Sequence, residues 1–165
     1  MNRSWLTPVL LAAWISGCAT KTDSTIDLVF DPCTTRVVAG AGATPSQLAS
    51  IDRALELWNR AAGLSLERVS DPPSDTVIEV SFVPTIAALR GVYDDEVGAV
   101  MINRDIEADE ERALTIAHEL GHAFGLHHVS VDERASLMNP GNVRVPPTAE
   151  DVDELRASWG NCQEQ

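Results

Sequence analysis

Eleven residues constrain this chain more than any others: His118-Glu119-Leu120-Gly121-His122-Ala123-Phe124-Gly125-Leu126-His127-His128. All four histidines of the 165-residue sequence fall inside them. Four residues of helix advance about 6 Å and just over one turn, so His118 and His122 project from the same face. Two imidazoles so spaced suit one zinc ion at about 2.0–2.1 Å from each nitrogen. Glu119 then stands beside the open coordination position, where a carboxylate can take a proton from water.

A third ligand requires the helix to end. In a continuous helix His128 would lie about 9 Å beyond His122 and roughly 240° round the axis, out of reach of the same ion. Gly125 offers the exit, because glycine can leave a helix through a left-handed conformation and turn the chain back. Gly121 has a different meaning. Glycine inside a helix costs about 1 kcal/mol relative to alanine, which points to close packing at that position.

The spacing resembles the metzincin family of zinc endopeptidases, whose signature is HExxHxxGxxH followed by a methionine-containing turn. Here that turn would be Ser136-Leu137-Met138-Asn139-Pro140. The resemblance implies one catalytic zinc held by His118, His122 and His128, a metal-activated water, and Glu119 as general base. Family spacing selects His128 over its neighbour His127. Met138 would lie beneath the imidazoles without ligating. Astacins and serralysins carry a tyrosine directly after that methionine, but Asn139 and Pro140 stand here and the only tyrosine is Tyr93. This departure favours the matrixin-like side. The implied fold is α+β and zincin-like: a twisted, mostly parallel sheet, two long helices, the Met turn and a C-terminal helix.

The beginning of the chain reads differently. Residues 1–17 have Arg3, then an apolar run from Trp5 to Ile15 too short to span a bilayer, as in a targeting segment. The run closes on Ile15-Ser16-Gly17-Cys18, which resembles the lipobox of bacterial lipoproteins. That resemblance implies a signal peptide over 1–17, a lipid on Cys18, and a flexible tether over 18–25. It also implies a lipid-anchored place in a bacterial cell envelope, with the outer membrane favoured because Ala19 rather than aspartate follows the cysteine. Residues 26–165 are left for one metallopeptidase domain, a normal size for a single core.

With Cys18 lipidated in an oxidising compartment, Cys33 and Cys162 are expected to pair as a disulfide. The other role open to Cys33 is a zinc-binding latch, as in matrixin propeptides. Asp31-Pro32-Cys33-Thr34-Thr35 lacks that switch motif.

Along the domain, strands are expected at 25–30, 36–38, 64–69 and 76–83, and a hairpin at 92–103. Thr44-Pro45-Ser46-Gln47 opens a helix with a capping box, and Leu48, Ile51, Leu55, Trp58 and Ala62 form its buried stripe. The histidine helix should start near Asp109. Thr148-Ala149-Glu150-Asp151 opens a last helix that Gly160 stops. Asp94, Asp95 and Glu96 form an acidic turn of the kind that binds structural calcium in related proteases; a solvated turn is expected here.

A formal net charge of −13 disfavours nucleic acid and anionic lipid surfaces as partners. The expected partners are a peptide or protein substrate and, through Cys18, a membrane, with the chain a monomer. The competing reading is a non-catalytic, zinc-stabilised, peptide-binding lipoprotein, and Glu119 separates the two. A binding module has no need of a carboxylate beside the metal.

Overall fold

The computed structural model describes residues 29–71, 77–84 and 89–162. The expected signal peptide, Cys18, the tether and nearly all of the first expected strand lie outside the described residues. No helix among the described residues is long and apolar enough to cross a membrane.

The elements follow in the order β1 (Arg36–Ala39), α1 (Pro45–Ala62), β2 (Val77–Val83), β3 (Gly91–Asp94), β4 (Ala99–Asn103), α2 (Asp109–Ala123) and α3 (Ala149–Trp159). The fold is α+β. Its four-stranded sheet has the order β1-β2-β4-β3, with β1-β2 and β2-β4 parallel and β3-β4 antiparallel. β3 is therefore an edge strand. Alternation sets which side of the sheet is buried, with Ile78 and Val80 of β2 and Val100 and Ile102 of β4 fully enclosed.

α1 forms where the sequence predicts it. The Thr44 side chain accepts from Gln47 N–H, and the Gln47 side chain accepts from Thr44 N–H. Such a cap is worth about 1 kcal/mol. Gly63 ends the helix at φ 72°. Trp58 is fully buried, donates its indole N–H to Ala117 O at 2.9 Å, and meets Phe124 edge-on at 6.0 Å. It thereby fixes α1 against α2, which itself lies on β3 and β4. At their N-terminal ends the two helices are tied by buried Arg112, which donates to Ser46, Ser50, Asp109 and the Ile106 carbonyl.

The strand expected at 64–69 shrinks to a single bridge, Val37↔Arg68. That bridge uses Glu67 O and Val69 N–H, so Leu66 faces away from β1. Its N–H donates to the Asn59 side-chain amide at 2.8 Å and its carbonyl accepts from it at 2.9 Å, which ties the segment to α1 rather than along β1.

Both ends of the described chain close over the C-terminus of α2. Phe30 N–H donates to Ala123 O at 2.8 Å, and the Trp159 indole N–H donates to Phe124 O at 2.7 Å. Cys33 and Cys162 are joined as a disulfide, with Cα atoms 5.2 Å apart and a sequence separation of 129. Reducing it should destabilise the fold by about 2–5 kcal/mol, read as a fall in the thermal midpoint on the order of 10 °C. Mass spectrometry without reductant should find the Cys33–Cys162 peptide pair and no free thiol at either position. A free Cys33 thiol together with an unchanged midpoint would refute the staple.

Candidate metal centre

α2 carries His118 and His122 one turn apart, and its own end delivers His128. Gly125 takes φ +90°. Leu126 N–H then donates back to Gly121 O and Gly125 N–H to His122 O, both at 2.9 Å. These two bonds make a Schellman motif, which satisfies the last carbonyls of the helix and reverses the chain. The sequence-based reading of Gly125 is what the structure contains.

The ring orientations follow from what each Nδ1 meets. His118 Nδ1 lies 2.7 Å from Leu137 O, and His122 Nδ1 lies 2.8 Å from Leu126 O. A carbonyl only accepts, so Nδ1 carries the proton in both rings and Nε2 is left with its lone pair. Both lone pairs face His128, whose Nε2 is 3.2 Å from each. One proton on His128 can satisfy only one of them. A cation among the three satisfies all. The spacing agrees, because ligands about 2.0–2.1 Å from a tetrahedral zinc stand about 3.3 Å from one another. Among the described residues this is the one cluster able to hold a metal.

Burial keeps the His118 and His122 rings neutral, as ligation requires. It depresses the His118 pKa. It pushes His122 down to about 4, against the Leu126 carbonyl and with help from the neighbouring histidines. His127, beside them in sequence, is exposed and outside the cluster.

Glu119 is 7% exposed. Burial pushes its carboxyl up to about 7, opposed by a hydrogen bond from the Tyr93 backbone. A bound dication would pull it down again. Glu119 and the three histidines line a cleft of about 460 Å³. One wall is β3 with Leu89 and Arg90 before it, and the opposite wall is Pro140, Gly141 and Asn142.

Two glycines let these parts approach. A Cβ on Gly91 would stand 2.9 Å from Glu119 Cγ and Oε1, so only glycine lets the edge strand lie so close to the carboxylate. A Cβ on Gly121 would stand 2.5 Å from Met138 Sδ. Forcing a methyl into such a gap costs about 1–3 kcal/mol in packed cores. The close packing expected from a mid-helix glycine is thus real, and its partner is the fully buried Met138.

The segment around Met138 is pinned from several directions. Asn139 accepts from Ser136 N–H and donates to the carbonyls of Val129 and Arg134. Val129 N–H donates to Met138 O at 3.0 Å, which ties this segment to the residue after His128. Asn142 donates to Leu137 O and Val145 O and accepts from Arg144 and Val145 N–H, fixing the far wall. Beneath lies Asp151, fully buried at the start of α3. Burial alone would raise its pKa. Hydrogen bonds from Ser136, Thr148, Arg134 and Leu137 outweigh it and hold the carboxyl below its ordinary value.

Sequence reasoning named the three clustered histidines, Glu119, Gly121, Gly125 and Met138. It missed Gly91 and Asn142, gave Asn139 a place in the turn but no bonds, and read Asp151 only as a helix cap. The Asp94–Glu96 turn is closed by its own bonds, with Asp94 Oδ1 accepting from Glu96 and Val97 N–H.

No family model matches the chain. It is similar to a collagenase. Interstitial collagenase of Oryctolagus cuniculus, a matrixin, is 28% identical over 138 aligned residues. The alignment covers 69% of this chain and 28% of the collagenase, so the chain spans less than a third of that relative. The likeness and the histidine cluster together fit a metzincin-like reading.

Proposed function

We propose that the chain is a zinc-dependent endopeptidase of the metzincin class, matrixin-like, with His118, His122 and His128 as ligands and Glu119 as general base. The observation that carries this reading is the convergence of three Nε2 atoms, that of His128 lying 3.2 Å from each of the other two, with no proton inventory to satisfy them, beside a buried carboxylate. Zinc, when bound, supplies a Lewis acid that polarises a carbonyl oxygen and makes water more acidic.

The remaining work falls to the chain. Glu119 takes the proton of the attacking water on a carboxylate oxygen and passes it to the leaving nitrogen. Gly91 holds β3 against that carboxylate, and the Tyr93 backbone fixes its direction. The outer edge of β3 borders the cleft, so an extended peptide can add to the sheet there by main-chain pairing. The Ser136–Pro140 segment is read as the Met turn, with Met138 filling the space beside Gly121. Residues 1–17 as a lipoprotein signal peptide, Cys18 as the lipidated residue and 18–25 as a tether belong to the same proposal. They rest on the sequence.

Incubation with a peptide library, read by mass spectrometry, tests the activity. Internal cleavages should appear, stop on chelation and return when zinc is restored. A zinc-loaded protein that cuts nothing in a diverse library would favour the binding module instead.

A further inference from the structure

We infer that Ser136 and Asp151 form a positioning relay that fixes His118 and strengthens it as a donor; this rests on the zinc reading above and deepens it. The contacts run without a break. Asp151 Oδ1 accepts the Ser136 hydroxyl at 2.5 Å, and Ser136 Oγ accepts Met138 N–H at 2.9 Å. Met138 N–H and Leu137 C=O belong to one peptide unit. That carbonyl accepts Nδ1–H of His118 at 2.7 Å.

The two inner links, the Ser136 hydroxyl and the Leu137–Met138 peptide, both donate and accept, so each bond polarises the next. The row begins at a buried carboxylate and ends at a ring whose other nitrogen faces the metal cluster. Metal-ligating histidines commonly give their second N–H directly to a carboxylate or a carbonyl, which fixes the tautomer and raises basicity. Here a hydroxyl and a peptide stand between, and they carry the carboxylate's influence to the ring. His122 lacks this support, for its Nδ1–H ends on the Leu126 carbonyl inside the helix-terminal turn. The relay therefore distinguishes two rings on the same helix face.

Ser136 is the link to cut, and the cut also removes the acceptor of Met138 N–H. Asp151 keeps three other donors without it: Leu137 N–H at 3.0 Å, Thr148 N–H at 2.9 Å and Arg134 Nη1 at 2.8 Å. The Leu137 carbonyl keeps a second donor in Asn142 Nδ2 at 3.2 Å. The turn should survive while the route from carboxylate to imidazole is broken.

The test compares the full chain with its Ser136→Ala variant. Zinc affinity is measured by chelator competition, and the Nδ1 nitrogen resonances of His118 and His122 by NMR, with and without zinc. Second-layer losses at metal sites run from 10- to 100-fold, so the variant should bind zinc roughly tenfold more weakly. The His118 resonance should move while that of His122 stays. Asp151→Asn, which removes the charge at nearly constant size, should move His118 in the same direction. The relay is overturned if either the affinity or the His118 resonance is unchanged in Ser136→Ala, or if both rings move equally. A wild-type chain that binds no zinc refutes the metal reading separately, and the metal-free His118 resonance still decides the relay.

Discussion

Glu119→Gln should lower peptide turnover about 10²–10⁴-fold, the usual share of a general acid–base group, while zinc content stays unchanged. The amide keeps the size of the carboxylate, so the close approach of Gly91 to the side chain is preserved. It can still accept the hydrogen bond from the Tyr93 backbone. What it loses is the capacity to hold a proton in transit. Turnover on a peptide substrate and metal content should be measured on the same preparation. Near-wild-type turnover would remove Glu119 from the chemistry, whatever the metal does.

His128→Ala should cost zinc affinity about 10²-fold or more. Zinc-finger peptides bind with about 10–16 kcal/mol over four ligands, or about 3 kcal/mol for each. His127→Ala should leave the affinity where it was, because His127 is exposed and outside the cluster. Parallel titrations of the two variants give the answer directly. Loss of metal in His127→Ala with retention in His128→Ala would reverse the assignment.

The two histidines on α2 were legible because helix geometry alone sets their spacing. Gly125 was legible because a ring ten residues beyond His118 can reach the cluster only if the helix ends. The boundaries of α1 and α3 followed from Thr44 and Thr148, whose capping boxes are local four-residue events. Ser136, Asp151 and Gly91 are another matter. Each acts through contacts with residues far away in sequence, and hydrophobic periodicity reports only which face is buried. Asp151 shows the limit well. Its role as a cap is written in Thr148 three residues earlier, but its bonds to Ser136 and Leu137 arise only when α3 docks under the turn. The strand expected at 64–69 met the same limit: the Asn59 side-chain amide ties Leu66 to α1, a contact that the pattern of residues 64–69 does not announce.

The closure of α2 by Phe30 and Trp159 has a consequence for the order of biosynthesis. The turn that aims His128 is local, yet the groups that seal its helix come from Phe30, far before it, and Trp159, far after it. During vectorial synthesis the histidine segment emerges well before Trp159, and its last carbonyls must wait for that partner. Pairings between distant parts of a chain also tend to form late, because loop entropy must be met first. A ribosome-bound fragment that stops short of Trp159 therefore leaves the Phe124 carbonyl without that donor, and the end of the histidine helix is sealed only once α3 has emerged.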